Sequence, residues 1–192
     1  MSILVLGLVL FLGTHSLRML AGGWRDRVVR SMGERTWKGL FALVSAVGLV
    51  LVAWGFGLAR QHPVLLYVPP LWLRHLNALF TLLAFVLIAA AYVPRNHFRQ
   101  WIGHPMLAGV KAWALGHLLA TGMLHDVVLF GAFLLWAVAD FATSRRRDRR
   151  LGVVRPVGTL VGDAGTVVAG VAAWAVFAFL LHLRLIGVSP WA

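Results

Sequence analysis

The sequence predicts an all-α, polytopic membrane protein whose transmembrane helices form one bundle, and three observations lead to this prediction. Hydrophobic residues make up 60% of the 192 residues, charged residues make up only 12%, and the mean hydropathy is +0.84. A soluble domain of this length cannot bury so much apolar surface, and disordered chains have low hydrophobicity. The apolar residues also fall in long runs without polar alternation, which excludes transmembrane β-strands.

Six apolar runs approach or exceed the ~20 residues that a helix needs to cross a bilayer. In chain order they cover residues 3–21, 37–58, 71–93, 106–123, 127–143 and 167–186. The first run has no basic segment before it, so we expect a retained helix rather than a cleaved signal peptide. No internal repeat divides the sequence, and we expect a single domain over residues 1–192.

The basic residues predict the orientation of the bundle. Most of the 18 Lys and Arg residues lie in the connections after the first, third and fifth runs. Cytoplasmic loops carry such an excess, so we expect both termini on the outer side. The arginine-rich residues 145–150 are interpreted as a topology determinant in a long loop over residues 144–166, in contact with anionic membrane lipids. No aromatic-interleaved or folded reading module accompanies this charge, so nucleic acid is not an expected partner.

The nine Trp residues fall into two groups. One group lies near predicted helix ends, where Trp anchors a helix at the membrane surface: Trp24, Trp37, Trp72, Trp101 and Trp191. The other group is more internal and is predicted to line a pocket: Trp54, Trp113, Trp136 and Trp174.

Polar residues inside the apolar runs are the candidate functional residues, because ionisable groups are costly in hydrocarbon. His15 and His117 lie well within their runs, and imidazole is too short to reach far toward the headgroups. Neutral imidazole binds haem iron, so this pair is a candidate for two axial ligands; two hydrogen-bonded histidines are the alternative. For upright helices, the two positions differ in depth by on the order of 10 Å. Arg18 and Lys111 have two interpretations. Their side chains extend to the lipid headgroups, or they contact a haem propionate.

No other catalytic chemistry stands out in the sequence. The chain has no Cys, and its six acidic residues are too scattered for a carboxylate metal site. Phosphate-binding, zinc-protease and serine-hydrolase motifs are absent as well. His182 is expected to be a hydrogen-bonded histidine near the outer surface, and no partner can be specified for His125.

The fourth run carries the most distinctive motif. The motif begins just before the run with His104-Pro105, and Gly109, Trp113 and His117 follow at +5, +9 and +13 from His104. Pro is common in the first turn of a helix, so the His104-Pro105 pair is also consistent with a role that is limited to starting the helix. The other reading of His104 is contact with a haem propionate or a lipid headgroup.

Two further motifs accompany it. Residues 13–18 read Gly-Thr-His-Ser-Leu-Arg, and residues 181–190 read Leu-His-Leu-Arg-Leu-Ile-Gly-Val-Ser-Pro. Taken together, the three motifs resemble the NnrU family of bacterial membrane proteins, and the likeness spans essentially the whole chain. The family was first associated with nitrite and nitric oxide reduction, and it includes the plant 15-cis-zeta-carotene isomerase, a membrane enzyme with haem b.

The resemblance implies a haem b site in the bacterial inner membrane. The two axial histidines of the isomerase fall on His15 and His117, and the resemblance also draws His104 and Trp113 into the cofactor site. The isomerase has a Cys three residues before its second histidine, where this chain has Ala114. A ligand exchange that uses that Cys therefore does not carry over.

Three functions remain open at the level of sequence. The leading prediction is a haem protein with a redox or denitrification-related role, its haem held between the first and fourth runs by His15 and His117. The second is an isomerase-like enzyme that acts on a hydrophobic lipid or polyene substrate. The third is a non-catalytic partner in the assembly of respiratory or denitrification proteins.

Overall fold

A computed structural model describes residues 1–190, and these residues fold into α-helices without a β-strand. In chain order the helices are α1 (Ser2–Leu20), α2 (Gly22–Met32), α3 (Glu34–Arg60), α4 (Trp72–Tyr92), α5 (His97–Ile102), α6 (Pro105–Ala120), α7 (Leu124–Arg150), α8 (Leu160–Val176) and α9 (His182–Ile186). A π-helical turn over Phe177–Leu181 joins α8 to α9. The predicted all-α class is confirmed. Trp191, a predicted anchor, lies outside the described residues.

Five stretches within residues 1–190 are long and apolar enough to cross a membrane, a pattern typical of membrane proteins. They are α1, α3, α4, α7 and the continuous helical stretch Leu160–Ile186. The remaining predicted span corresponds to α6, which has 16 residues. At 1.5 Å per residue it is ~24 Å long, shorter than the ~30 Å hydrocarbon core. Five of the six predicted spans therefore correspond to stretches that are long and apolar enough to cross a membrane. The predicted span that corresponds to α6 stays a prediction.

The structure corrects the predicted loops. The loop expected over residues 144–166 is wrong at both ends, because α7 continues to Arg150 and α8 begins at Leu160. Arginine is a good helix former, so the arginine-rich residues simply extend the helix. The basic connections after the first and third runs also contain helices, α2 and α5, which the hydropathy pattern did not reveal.

The long helices pack side by side in the order α3, α1, α7, α6, α4, α8. Glycines allow the closest approaches, as is common in membrane helix pairs. A Cβ added to Gly48 on α3 would lie 2.8 Å from the backbone nitrogen of Phe11 on α1. A Cβ added to Gly109 on α6 would lie 2.8 Å from the carbonyl oxygen of Ala84 on α4. Both pairs therefore bring backbone against backbone, which places the histidine-bearing helices α1 and α6 firmly in the bundle.

The buried core joins α1, α3, α6 and α7 through Leu4, Leu8, Leu12, Val52, Ala114, Leu129 and Phe130. Two ends of the bundle flank this core. We call the end that holds residues 14–41, 91–107 and 136–160 the basic end. We call the end that holds residues 60–72, 117–127 and 182–190 the far end. At the far end, Leu65 and Met123 form an isolated antiparallel bridge that ties the α3–α4 connection to the start of α7.

Candidate functional site

A cavity of about 570 Å³ opens at the basic end, between α1, α3, α6 and α7. We call it the basic cavity. Ligand sites commonly occupy ~300–1,000 Å³, so its size suits a cofactor or a lipid-like ligand. Its apolar wall comprises Leu17, Trp37, Phe41, Met106, Leu107 and Trp136. Three of the predicted site residues, His15, Arg18 and His104, line it together.

His15 projects from the last turns of α1 and is only partly buried. Its Nδ1 lies 2.7 Å from the carbonyl oxygen of Phe11, one turn earlier. A proton on Nδ1 satisfies that contact and leaves Nε2 as the lone-pair nitrogen, which is the arrangement seen in most metal-bound histidines. The rings of Phe11 and Phe41 lie 4.3 and 5.0 Å from the imidazole, so aromatic contacts hold its orientation. A Cβ added to Gly13 would meet nothing within 4 Å, so the chain is open beside this histidine.

Cations outnumber carboxylates around the basic cavity. The cationic lining residues are Arg18, Arg25, Lys38, Arg99 and Arg147, and the acidic ones are Glu34 and Asp140. Two of the cations have carboxylate partners, since Lys38 pairs with Glu34 at 2.7 Å and Arg25 pairs with Asp26 at 2.7 Å. The other three arginines have no carboxylate within ion-pair distance among residues 1–190. The cavity therefore joins an apolar wall to a cationic mouth, which favours an anionic amphiphile.

Trp136 lines the basic cavity and carries a buried, unsatisfied donor. Its ring stands perpendicular to that of His15 at a centroid distance of 6.1 Å. Its Nε1 is buried and has no hydrogen-bond partner among the described residues. Buried polar groups normally find a partner, so this N–H is an exception among the residues that the structure describes. Trp136, one of the four internal Trp residues, lines a cavity as predicted.

His104 enters the cavity from the first turn of α6, where it is the N-cap residue. Its Nε2 lies 2.8 Å from Oδ2 of Asp148 on α7. The same carboxylate oxygen accepts a hydrogen bond from Nη2 of Arg155, in the α7–α8 connection. The carboxylate thus holds the imidazole in place, and Nδ1 has no hydrogen bond among the described residues. The sequence does not single out Asp148, because this residue falls within the loop predicted over residues 144–166.

The other predicted site residues lie outside the basic cavity. Lys111 places Nζ 3.7 Å from the ring centroid of Phe141, a cation–π contact. His117 stacks on Phe130 at 4.4 Å, and its Nδ1 lies 2.8 Å from the carbonyl oxygen of Trp113. His117 therefore repeats the i−4 hydrogen bond that orients His15.

Aromatic rings lie between the two predicted axial histidines. Phe11 contacts His15 and also Phe133, at 5.9 Å. Phe133 contacts Trp113 at 5.4 Å, and Trp113 contacts His117 at 5.5 Å. Among residues 1–190 the two imidazoles make no ring contact, so a haem clamped by both would require these rings to move. The two-histidine ligand set stays a prediction.

A buried histidine–aspartate pair lies at the far end; the sequence analysis specified no partner for His125 and did not single out Asp126. His125 and Asp126 are only 5% and 8% exposed, and His125 Nε2 lies 3.7 Å from Asp126 Oδ1. The ring of Phe56 covers the imidazole edge-on at 5.1 Å. The aspartate lies in the first turn of α7, where a negative charge stabilises the helix. His182 behaves as predicted, because its Nδ1 bonds with the carbonyl oxygen of Val188 at 2.7 Å.

The structure is that of an all-helical protein with five apolar stretches of membrane-spanning length and a cavity at one end of the bundle. The sequence matches the profile of the NnrU family, described as NnrU protein, over residues 3–190. The chain therefore belongs to the NnrU family. The comparisons with curated proteins and with solved structures gave no match.

Proposed function

We propose that this protein is a b-type haem protein with a one-electron redox role, and that its haem binds in the basic cavity with His15 as an iron ligand. The observation that carries the proposal is the state of His15, which lines the cavity with Nδ1 bonded to the Phe11 carbonyl and Nε2 available. Imidazole ligands of metals are oriented by this kind of second hydrogen bond.

The chemistry of the cavity supports haem over other amphiphiles. Haem combines a flat apolar ring with two carboxylates at one edge. The apolar wall suits the ring, and Arg18, Arg99 and Arg147, which have no carboxylate partner among residues 1–190, suit the propionates. Arginine binds carboxylates through two parallel hydrogen bonds, so these side chains would also orient the ring. When bound, the haem supplies the one-electron chemistry, and the aromatic wall of Trp37, Phe41 and Trp136 excludes water from its apolar face.

His117 enters the proposal as the second ligand that the family resemblance implies. Its Nδ1 contact with the Trp113 carbonyl supports a ligand role, because Nε2 is left available. The rings of Phe133 and Trp113 would have to turn before both imidazoles could reach one iron. Ligation by His15 alone needs no such movement, and we therefore expect His15 to be the indispensable ligand.

We further propose a six-span topology in the bacterial inner membrane, with both termini outside and the basic end in the cytoplasm. Gly109 and Gly116 of α6 approach Ala84 and Phe80 of α4, respectively. The residue numbers of these contacts rise along α6 while they fall along α4. The two helices are therefore antiparallel and lie at the same depth. The chain enters α6 at the basic end and leaves it at the far end. This is the path expected of a helix that crosses the membrane in addition to the five apolar stretches. An excess of arginine at one end is typical of the cytoplasmic side.

The experiment is a reduced-minus-oxidised optical spectrum of protein purified from haem-replete cells, with the variants His15→Ala and His117→Ala. We expect haem bands in the wild type and their loss in His15→Ala. Retention of haem in His117→Ala, with an altered spectrum, would support His117 as a second ligand, whereas an unaltered spectrum would exclude it. A colourless wild-type protein contradicts the proposed function.

A further inference from the structure

We propose that His104 is the proton-binding residue of the basic cavity, and that its Nδ1 takes up one proton from the solution at the basic end when the site gains one electron. This inference rests on the proposed function, because the electron resides on the cofactor bound at His15. The one-electron reductant is external to the protein. The electron and the proton arrive together, so the net charge in the cavity is unchanged by the reaction.

The geometry around His104 is that of an oriented proton acceptor. Asp148 accepts the hydrogen bond of Nε2 at 2.8 Å, and Arg155 donates a hydrogen bond to the same carboxylate oxygen. A carboxylate in this position stabilises the doubly protonated imidazolium that forms when Nδ1 gains a proton. The side chain of His104 is 23% exposed, so it meets both the cavity and the solvent from which a proton comes.

The other ionisable groups near His104 are poorly suited to this role. Arg145 and Arg155 lie beside Gly103, and Arg99 and Arg147 line the cavity, but guanidinium groups stay charged at every accessible pH. Asp148 already accepts two hydrogen bonds, both of which favour its charged form.

The remaining lining groups are also accounted for. Asp140 accepts a hydrogen bond from Ser144 at 3.3 Å, and Glu34 is paired with Lys38. Arg18 and Arg25 are permanently charged, and His15 is assigned to the iron. Imidazole is the side chain that ordinarily changes charge between about pH 5 and pH 8. Among the described residues that line the basic cavity, His104 is therefore the one imidazole that is not assigned to the iron.

The chain offers a matched control at the same end of the bundle. His97, at the start of α5, contacts Asp163 of α8 through Nδ1 at 2.6 Å. It is a partly buried histidine–aspartate pair like the first, with a side chain that is 26% exposed. It does not line the basic cavity. A histidine–aspartate pair that acts only structurally should behave like His97, and a proton-binding residue of the cavity should not.

The test is spectroelectrochemistry of the haem-loaded protein in lipid nanodiscs, with the midpoint potential recorded between about pH 6 and pH 8. For the wild type we expect the potential to fall as pH rises, approaching ~59 mV per pH unit, since this equals a tenfold change in equilibrium constant for one electron. In His104→Gln, whose amide retains a donor for Asp148, we expect a nearly flat line. His97→Gln should retain the wild-type slope.

A pH-indicator dye in weak buffer gives an independent count of protons taken up per electron on reduction by dithionite. We expect uptake in the wild type and in His97→Gln, and its loss in His104→Gln. A wild-type slope and proton count in His104→Gln overturn this inference while the proposed function stands. Equal losses in both variants also overturn it, because they indicate a structural effect common to the two pairs. A protein without haem overturns the proposed function and this inference with it.

Discussion

Asp148 and His104 are 44 residues apart in the sequence, and the carboxylate of one lies 2.8 Å from the imidazole of the other. The contact joins α7 to the start of α6. Within the arginine-rich run, Arg145, Arg147 and Asp148 are partly buried and Arg146, Arg149 and Arg150 are exposed. Arg147 lines the basic cavity. A run that the sequence predicts as part of a loop therefore lies in a helix and contributes Arg147 to the lining of the basic cavity.

The close approach of α1 to α3 should determine the position of His15. We expect Gly48→Ala to destabilise the protein by ~1–3 kcal/mol, because the added Cβ would meet the backbone of Phe11 at 2.8 Å. Phe11 carries the carbonyl that orients His15, so haem content should fall as well. Thermal unfolding in detergent and haem per protein are the readouts. Gly57→Ala, on the same helix but with nothing within 4 Å, should be neutral or slightly stabilising. Equal effects of the two changes would argue against this packing.

Arg18 should hold a haem propionate. It lines the basic cavity and forms no ion pair or hydrogen bond among residues 1–190. We expect Arg18→Gln to raise the rate of haem loss to an acceptor apoprotein by about tenfold, the effect of losing one hydrogen bond to a charged group. Arg27→Gln is the control, because Arg27 is exposed on α2 and does not line the cavity. A loss rate that is the same in Arg18→Gln and in the wild type would remove Arg18 from the site.

Tyr67 should make stability at the far end sensitive to alkaline pH. Its hydroxyl donates to the Leu118 carbonyl, and burial, together with the negative charge of Asp126, raises the pKa of Tyr67 above its usual value. The neutral phenol therefore stabilises the folded state below the ordinary tyrosine pKa of about 10, and this contribution is lost as pH rises through the raised pKa.

The corresponding variant is Tyr67→Phe. We expect it to cost about 1 kcal/mol at neutral pH and to flatten the loss of stability above about pH 10, as followed by chemical denaturation. Tyr92→Phe, at a tyrosine that is 73% exposed, should match the wild type at both pH values. An unchanged alkaline profile in Tyr67→Phe would show that this hydroxyl is not the group responsible.

The six-span topology has a direct labelling test, since the chain contains no Cys. We expect Val68→Cys, in the α3–α4 connection, to react with a membrane-impermeant maleimide in intact spheroplasts. We expect Val154→Cys, in the α7–α8 connection, to react only after lysis. Both native side chains are well exposed, at 78% and 92%, so access is not limited by the fold. If both positions label from the same side, α6 does not span the membrane or the orientation is different.

The sequence predicts the helical class because the long apolar runs are visible in the composition alone, and apolar runs of this length are typical of membrane-spanning helices. It does not predict the surface helices α2 and α5, whose short polar segments carry no such signal. The continuation of α7 through Arg150 was missed for a similar reason, since charge ends an apolar run without ending a helix. These boundaries depend on local helix propensity and on tertiary contacts such as the one between Asp148 and His104.

The candidate site was predictable in part. His15, Arg18 and His104 belong to motifs that the sequence displays, and the structure brings them to one cavity. The roles of Asp148, Trp136 and Arg147 depend on which face of α7 they occupy. The separation of His15 from His117 depends on aromatic rings from three helices. In the sequence, its only sign is the difference in depth between the two histidines, on the order of 10 Å.

The central claim is that His15 binds the haem iron, and imidazole rescue tests it most directly. In His15→Gly the ligand is removed and a space of imidazole size is left beside Phe11 and Phe41. We predict that His15→Gly is purified without haem and that added imidazole together with haemin restores wild-type-like absorption bands. His62→Gly, at an exposed histidine outside the cavity, should keep its haem without imidazole. Full haem content in His15→Gly without imidazole would contradict the claim.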